Sequence, residues 1–154
     1  MKINLKVNNK EFSVDVEPET PLIFILRNYL KLKGTKLGCS LEQCGACLVL
    51  SEGDILYSCT TPAQDVQGKN ITTIEGIGGS EKMDPIQSVF VQERAAQCGY
   101  CLPGIIISTK ALLNKNPKPT KQEIKEALSS NLCRCGSHHS IIKAVLKLAG
   151  ESQQ

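Results

Sequence analysis

The chain has no tryptophan and little aromatic surface of any kind. Its 154 residues include only three phenylalanines and three tyrosines. That length suits one ordinary domain or two small ones. Small domains with so few aromatic side chains have thin hydrophobic cores, and these usually need disulfides or bound metals as additional support. The composition therefore predicts that something besides apolar packing holds the fold together.

Long apolar runs and a strong charge of one sign are also missing. No run approaches the roughly 18 residues of a membrane span, and the first residues, MKINLKVNNKEFSVDV, alternate instead of forming the apolar centre of a signal peptide. We therefore expect no direct membrane insertion and folding in the cytosol, where thiols stay reduced. The net charge is only +3, from scattered basic residues, which argues against a nucleic-acid partner.

The first half of the chain has the pattern of a small sheet with one helix. INLKV and EFSVDV alternate apolar and polar residues and predict a β-hairpin. Thr20 and Pro21 then favour the start of a helix, which Gly34 is expected to stop. CLVLSEGDILYSC predicts a second hairpin that turns at 52–54. A last strand, in NITTIEG, should end near Ile74.

The hydrophobic period changes after GIGGSEKM, which we interpret as a linker. Four short helices are predicted beyond it. The first starts at Asp84, the second ends at Pro117, and the third opens with a capping box formed by Thr120 and Glu123. The fourth stops at Gly150. A helix, a cysteine turn and a helix follow one another twice, so the two units should face each other across their cysteines. The predicted domains are residues 1–76 and 82–150.

Cysteine is the residue present in excess, with eight copies. In a cytosolic protein, eight cysteines indicate metal binding rather than disulfides. Four of them follow the pattern C-x4-C-x2-C-x11-C, whose first three positions have the plant-type 2Fe–2S spacing. A loop can curl so that its thiolates point at one centre, and Gly38 and Gly45 bring backbone N–H groups near the sulfurs. Zinc remains an alternative, although zinc sites usually take their ligands as two close pairs. These candidate ligands are Cys39, Cys44, Cys47 and Cys59.

The other four cysteines form a second candidate metal site, as C-x2-C and C-x-C pairs. Each pair lies between two predicted helices, at the N-terminus of the second one, where the helix dipole favours a thiolate. By itself this set suits either zinc or a compact two-iron cluster. The first set favours iron here, because one redox cluster gains from another nearby. The candidate ligands are Cys98, Cys101, Cys133 and Cys135.

Three motifs in order, GCSLEQCGAC, QCGYCLPG and NLCRCG, resemble the small iron–sulfur subunit of the molybdenum hydroxylases, the xanthine oxidase and aldehyde oxidoreductase family. The resemblance covers nearly the whole chain. It implies an α+β protein, with an N-terminal β-grasp, ferredoxin-like 2Fe–2S domain and a four-helix 2Fe–2S-binding domain. It also implies the electron-transfer subunit of an oxidoreductase complex, with two 2Fe–2S clusters and no substrate-turnover site in this chain.

The resemblance further implies partners. In the family a large subunit holds molybdopterin, expected here in a dinucleotide form, and hydroxylates an aldehyde or an N-heterocycle. The clusters pass electrons one at a time to a cytochrome c, a flavin subunit or another acceptor. A Gln before the second CGxC pair and a cysteine of the CRC turn hydrogen-bond the pterin, and these correspond to Gln97 and Cys135. An export signal or anchor on a partner would place the complex in the periplasm or at a membrane.

The chain departs from the commoner family pattern after CRC. Many members continue with Thr-Gly-Tyr, whereas this chain has CRCGSHH. It is similar there to a branch with Gly-Thr, which often lacks a flavin partner and sometimes has a cytochrome. His138 stands where an aromatic residue is usual, and we interpret it as packing at a subunit interface and His139 as exposed. Two further hypotheses stay open: a stand-alone two-cluster ferredoxin, and a zinc-stapled interaction module without a redox role.

Overall fold

A five-stranded mixed sheet forms the first half of the chain in the computed structural model, which describes residues 1–79 and 81–150. The strand order is β2-β1-β5-β3-β4, and only β1 and β5 pair in parallel. The first and last strands of the half therefore lie side by side in the middle of the sheet. The strands are β1 (Lys2–Val7), β2 (Lys10–Asp15), β3 (Leu48–Ser51), β4 (Asp54–Tyr57) and β5 (Asn70–Thr72).

Both predicted hairpins are confirmed. Alternation along β1 buries Ile3, Leu5 and Val7 on one face, because successive strand residues point to opposite sides of the sheet. In the second hairpin Glu52 and Gly53 both have positive φ, at 52° and 91°. Such values suit a two-residue hairpin turn. The turn is therefore one residue shorter than predicted, and the strand β4 begins immediately after it.

Two short pieces replace the helix predicted between Thr20 and Gly34: α1 (Leu22–Phe24) and a π-helical segment (Ile25–Tyr29). The predicted extent is therefore wrong. Lys31, with a φ of 59°, turns the chain out of the helix three residues before the glycine. Nothing in the sequence signals this end of the helix, since non-glycine residues rarely adopt the left-handed region.

A short helix, α2 (Ile74–Ile77), occupies the region predicted to hold the strand end and the linker. Its isoleucines pack against the apolar core of the second half. Gly34 lies directly against this helix, since a Cβ added there would overlap Ile74 Cγ2. The Gly34 N–H also donates to Glu75 Oε1 over 2.7 Å. Gly34 therefore permits close packing instead of stopping a helix.

The four predicted helices of the second half are present. Asp84 caps the first by accepting from the Ile86 N–H, and Thr120 and Glu123 form the expected capping box of the third. No helix among the described residues is long and apolar enough to cross a membrane. The helices are α3 (Pro85–Gln92), α4 (Leu102–Lys115), α5 (Lys121–Ala127) and α6 (His138–Leu148).

The two halves pack together through β3 and α4. Leu48 and Leu50 of the sheet form one apolar cluster with Ile107 and Ala111 of the helix. All four side chains are at most 5% exposed, so this cluster is part of the hydrophobic interior. The helical half is therefore fixed against the strand that follows the first cysteine loop.

Candidate metal centres

The first set of cysteines lies on a loop that leads into β3, with its last member just after β4. The loop curls through Ser40, Glu42 and Gly45, which have φ values of 57°, 58° and 70°. Left-handed residues reverse the direction of the chain within a few positions, so the loop can direct several thiols inward. The Cys39 N–H lies 3.3 Å from Cys44 Sγ.

Backbone N–H groups surround the sulfur of Cys39. The Leu41 and Gln43 N–H groups each donate to Cys39 Sγ over 3.3 Å. Burial raises the pKa of this thiol, but the hydrogen bonds from Gln43, Leu41 and Cys44 outweigh burial and lower the pKa to about 7. Donors of this kind favour the thiolate over the thiol. This part of the loop is therefore arranged to stabilise negative charge on sulfur.

The other two thiols of this set are enclosed. Cys47 and Cys59 are 1% and 7% exposed and pack with Ile23. Burial, followed by a hydrogen bond with Cys59, raises the pKa of Cys47 to about 12. Such a thiol becomes a ligand only when a metal replaces its proton. The set thus has the donor chemistry of a buried metal centre, and the structure brings all four predicted cysteines to one loop and strand end.

The second set joins the α3–α4 turn to the α5–α6 turn. Cys101 is the N-cap residue of α4 and hydrogen-bonds with Cys133 across the two turns. Burial, followed by that hydrogen bond, raises the pKa of Cys101 to about 12. Cys98 and Cys135 are exposed. The predicted pairing of the two turns is therefore found, with Cys101 and Cys133 half-buried and the other two thiols at the surface.

The space beside the first set fits a cluster with several sulfur ligands. A Cβ added to Gly38 would lie 2.6 Å from Cys44 Sγ. Glycine at this position therefore leaves the space beside that sulfur open. A 2Fe–2S cluster needs two thiolates at each iron, which spreads four sulfurs around it. The N–H donors at Cys39 and the open space beside Cys44 fit a 2Fe–2S group. Within residues 1–79 and 81–150, no three His, Cys, Asp or Glu side chains are placed to share one metal ion.

Gln97 and Cys135 are neighbours in space although 38 residues separate them. Gln97 Nε2 donates to the Cys135 carbonyl oxygen over 3.0 Å, and both residues are exposed. The bond uses one of the two amide hydrogens, and a glutamine side chain also has an acceptor oxygen. In the first turn of α6, His139 is exposed as predicted, and His138 is exposed as well. Gln97 and Cys135 thus form one surface beside the second set.

Sequence reasoning missed how closely the two cysteine turns approach each other. The Leu132 N–H donates to the Cys44 carbonyl oxygen over 3.0 Å. The hydroxyl of Tyr100 donates to the Leu37 carbonyl oxygen over 2.5 Å. Each bond joins a residue next to a cysteine of one set to the loop of the other set. Contacts to backbone carbonyls so distant in sequence have no local pattern that could predict them.

Gly45 and Gly104 form the closest part of this approach. A Cβ added to Gly104 would overlap the Gly45 carbonyl oxygen, and one added to Gly45 would lie 2.5 Å from Asn131 Nδ2. The Asn131 side chain is held from the other side by the Ser108 hydroxyl, which donates to its Oδ1 over 2.8 Å. The signal in the sequence was Gly104 itself, in the first turn of an apolar helix. A glycine inside a helical pattern often marks close packing against another part of the chain.

Comparison with known proteins agrees with this architecture. Residues 5–72 match the family model described as 2Fe-2S iron-sulfur cluster binding domain, and residues 73–146 match the [2Fe-2S] binding domain model. A nicotinate dehydrogenase subunit of Pseudomonas putida is 48% identical over 96% of this chain and 94% of its own length. The aldehyde oxidoreductase iron-sulfur-binding subunit PaoA of Escherichia coli is 41% identical over 98% and 72%. The chain is an iron–sulfur subunit of the molybdenum hydroxylase family.

Solved structures of relatives share the fold of this iron–sulfur subunit. Quinoline 2-oxidoreductase from Pseudomonas putida 86 superposes with a TM-score of 0.93 at 37% identity and covers 97% of this chain and 94% of its own. Aldehyde oxidoreductase from Desulfovibrio gigas gives 0.92 at 37% identity, over 97% of this chain but 17% of a longer one. The predicted α+β class and two 2Fe–2S-binding domains are confirmed, and the zinc module is left without support.

Proposed function

We propose that this subunit carries electrons, one at a time, from a molybdopterin site on a large partner subunit to an external acceptor. The observation that supports this electron route most directly is the hydrogen bond from the Leu132 N–H to the Cys44 carbonyl oxygen. Leu132 directly precedes Cys133, so one hydrogen bond links candidate ligands of the two sets. A 2Fe–2S cluster bound by each set supplies a one-electron carrier. The order is helical half first, ferredoxin-like half second.

The ligand assignment follows the two groups of cysteines. The donors around Cys39 stabilise thiolate charge, and the high pKa of Cys47 and of Cys101 makes each dependent on a metal for deprotonation. We keep the domain limits of 1–76 and 82–150 as a prediction. The ligands are Cys39, Cys44, Cys47 and Cys59 in the first half, and Cys98, Cys101, Cys133 and Cys135 in the second.

The exposed side of the second set faces the molybdopterin in this proposal. Gln97 and Cys135 lie together there, and both carry hydrogen-bonding groups that suit a pterin. The side chains of Val91 and Leu132 are 64% and 61% exposed, and an apolar groove runs between α3 and the start of α4. Exposed apolar surface of this kind marks protein interfaces, which supports a large partner covering this face.

The substrate of the complex is, in this proposal, an N-heterocycle or an aldehyde. Relatives named for nicotinate and quinoline favour the N-heterocycle, and the relative named for aldehyde oxidation supports the second class. The acceptor is a cytochrome c, a flavin subunit or another carrier. All eight cysteines are free thiols, in keeping with folding in a reducing compartment.

Metal analysis of the purified protein tests the proposal directly. We expect four irons and four acid-labile sulfides per chain, two distinct 2Fe–2S signals in electron paramagnetic resonance (EPR), and co-purification with a large molybdenum-containing chain. Cys44→Ser should damage the first signal and spare the second. One zinc per cysteine set would refute the proposal. Two clusters without any molybdenum-containing partner would instead support the stand-alone ferredoxin.

A further inference from the structure

One stretch of the first half carries positive charge that no acidic residue of its own offsets. Most basic residues are spread along the chain, but residues 20–41 contain four of them and no Asp or Glu. These four exceed the net charge of the whole chain, which is +3. None of them forms an ion pair with residues 1–79 or 81–150. The four residues, called the basic surface below, are Arg27, Lys31, Lys33 and Lys36.

The fold brings these cations together in one turn. Lys31, with its φ of 59°, turns the chain out of the π-helical segment. Arg27 Nη1 donates to the carbonyl oxygens of Lys33 and Thr35, over 2.9 and 2.6 Å. Lys36 Nζ donates to the same Lys33 oxygen over 2.8 Å. Two charged nitrogens bound to one oxygen atom are close enough to repel each other, so the basic surface favours an anionic neighbour.

One carboxylate lies next to this turn without neutralising it. Glu75 Oε1 accepts from the Gly34 N–H over 2.7 Å, and Oε2 accepts from the Thr73 hydroxyl over 2.6 Å. Among the described residues, this carboxylate forms no ion pair with any of the four cations. Positive charge therefore remains in excess. The side chains of Lys31 and Lys33 are exposed and can reach a partner.

The basic surface borders the first set of cysteines. The Lys36 N–H donates to the Ala46 carbonyl oxygen over 3.1 Å, and Ala46 directly precedes Cys47. The next residue, Leu37, packs against the buried thiols of this set. Leu41, on the cysteine loop itself, is 66% exposed. Electron-transfer partners form small, transient interfaces that depend on complementary charge, and cations beside an exposed apolar side chain suit such a partner.

We propose that the basic surface docks an electron acceptor whose own surface is rich in carboxylates, beside the first cluster. The inference rests on the proposed function, in which electrons leave through the ferredoxin-like half. A cluster held by four thiolates adds negative charge, which repels an acidic acceptor unless nearby cations offset it. Complementary charge raises association rates by about 10- to 1,000-fold. The large partner is not the occupant, because it covers the exposed side of the second set in the proposed function.

The experiment follows oxidation of the reduced, purified, cluster-loaded protein by rapid-freeze EPR at low salt. The probes are two inorganic oxidants of opposite charge, ferricyanide, a trianion, and tris(phenanthroline)cobalt(III), a trication. Lys31→Glu combined with Lys33→Glu should slow oxidation of the first cluster by ferricyanide about tenfold and accelerate oxidation by the cobalt complex about tenfold. A changed cluster potential would instead move both rates in the same direction. Both effects should vanish in 1 M salt, where the Debye length is about 3 Å.

Lys2→Glu combined with Lys10→Glu is the matched control. Both lysines are exposed on the β1–β2 hairpin, and their reversal changes the net charge by the same amount. The control should leave both rates near the wild-type values. Poly-L-glutamate serves as the probe for a carboxylate-rich partner. It should slow ferricyanide oxidation of the wild type and of the control, but not of the variant with Lys31 and Lys33 reversed.

Equal rate changes in the two double variants would overturn the inference, because net charge alone would then explain them. Protection by single-stranded DNA and not by poly-L-glutamate would assign the surface to nucleic acid and overturn it too. Lys31→Gln combined with Lys33→Gln removes the charges without adding acids and should give smaller changes of the same sign. These failures, in a wild type with two 2Fe–2S signals, leave the proposed function intact. A wild type without both signals would overturn the proposed function itself.

Discussion

Single atoms decide how closely the two cysteine turns approach, and Gly104 is the clearest case. Gly104→Ala would gain about 1 kcal/mol of helix propensity. However, the new Cβ would overlap the Gly45 carbonyl oxygen, and overpacking a close contact costs about 1–3 kcal/mol. We expect a lower melting temperature and a disturbed first-cluster spectrum. Gly79→Ala is the matched control, because nothing lies within 4 Å of its added Cβ. Equal melting temperatures for the two variants would contradict the contact.

Gln97 is a second residue whose role can be isolated. Gln97→Leu removes the donor to the Cys135 carbonyl oxygen and leaves an apolar side chain towards the proposed pterin. Once the large partner buries this face, a polar group left unpaired costs about 1–3 kcal/mol, so we expect weaker retention of molybdopterin or slower reduction of the clusters by substrate. Stopped-flow reduction, with molybdenum measured on the same sample, tests this. The spectrum of the first cluster and the substrate preference should not change. If Gln97→Leu is reduced at the wild-type rate and keeps its full molybdenum content, Gln97 has no role towards the pterin.

At the scale of elements, the α5–α6 turn depends on one backbone donor. Leu132→Pro removes the N–H that donates to the Cys44 carbonyl oxygen, because proline has none. We expect a loss of about 1 kcal/mol in the free energy of unfolding and slower electron redistribution between the clusters after rapid partial reduction. Leu132→Ala is the control, since it keeps the N–H while also removing the exposed side chain. If proline and alanine gave the same redistribution rate, the hydrogen bond would not be part of the route.

The elements also show which features the sequence could predict. The helices α3 and α5 start where predicted because Asp84 and Thr120 cap them through neighbours two or three positions away. A local pattern suffices for such a contact. The predicted 20–34 helix failed because Lys31 adopts a left-handed conformation, which nothing in its neighbourhood requires. The cysteine spacing identified both candidate sites, whereas the Gly45–Gly104 contact depends on how the two halves pack.

For the molecule as a whole, the two candidate centres differ in protection. Cys47 and Cys59 are nearly inaccessible, while Cys98 and Cys135 are exposed. An iron chelator added anaerobically to the isolated subunit should therefore remove the second cluster before the first. Binding of the large partner should slow that loss, because the exposed face is the one it covers in the proposed function. EPR of both signals over time provides the measurement. Faster loss of the first cluster would contradict the burial difference.

The parallel pairing of β1 with β5 has a consequence for biosynthesis. β1 is complete after seven residues, but its parallel neighbour in the sheet is Asn70–Thr72. All four cysteines of the first set leave the ribosome before that neighbour does. At about 5–20 residues per second, the nascent loop spends seconds without the sheet that shapes it. The thiols of a half-made chain are thus open to the wrong metal during translation, and cluster delivery must follow the last strand rather than the last cysteine.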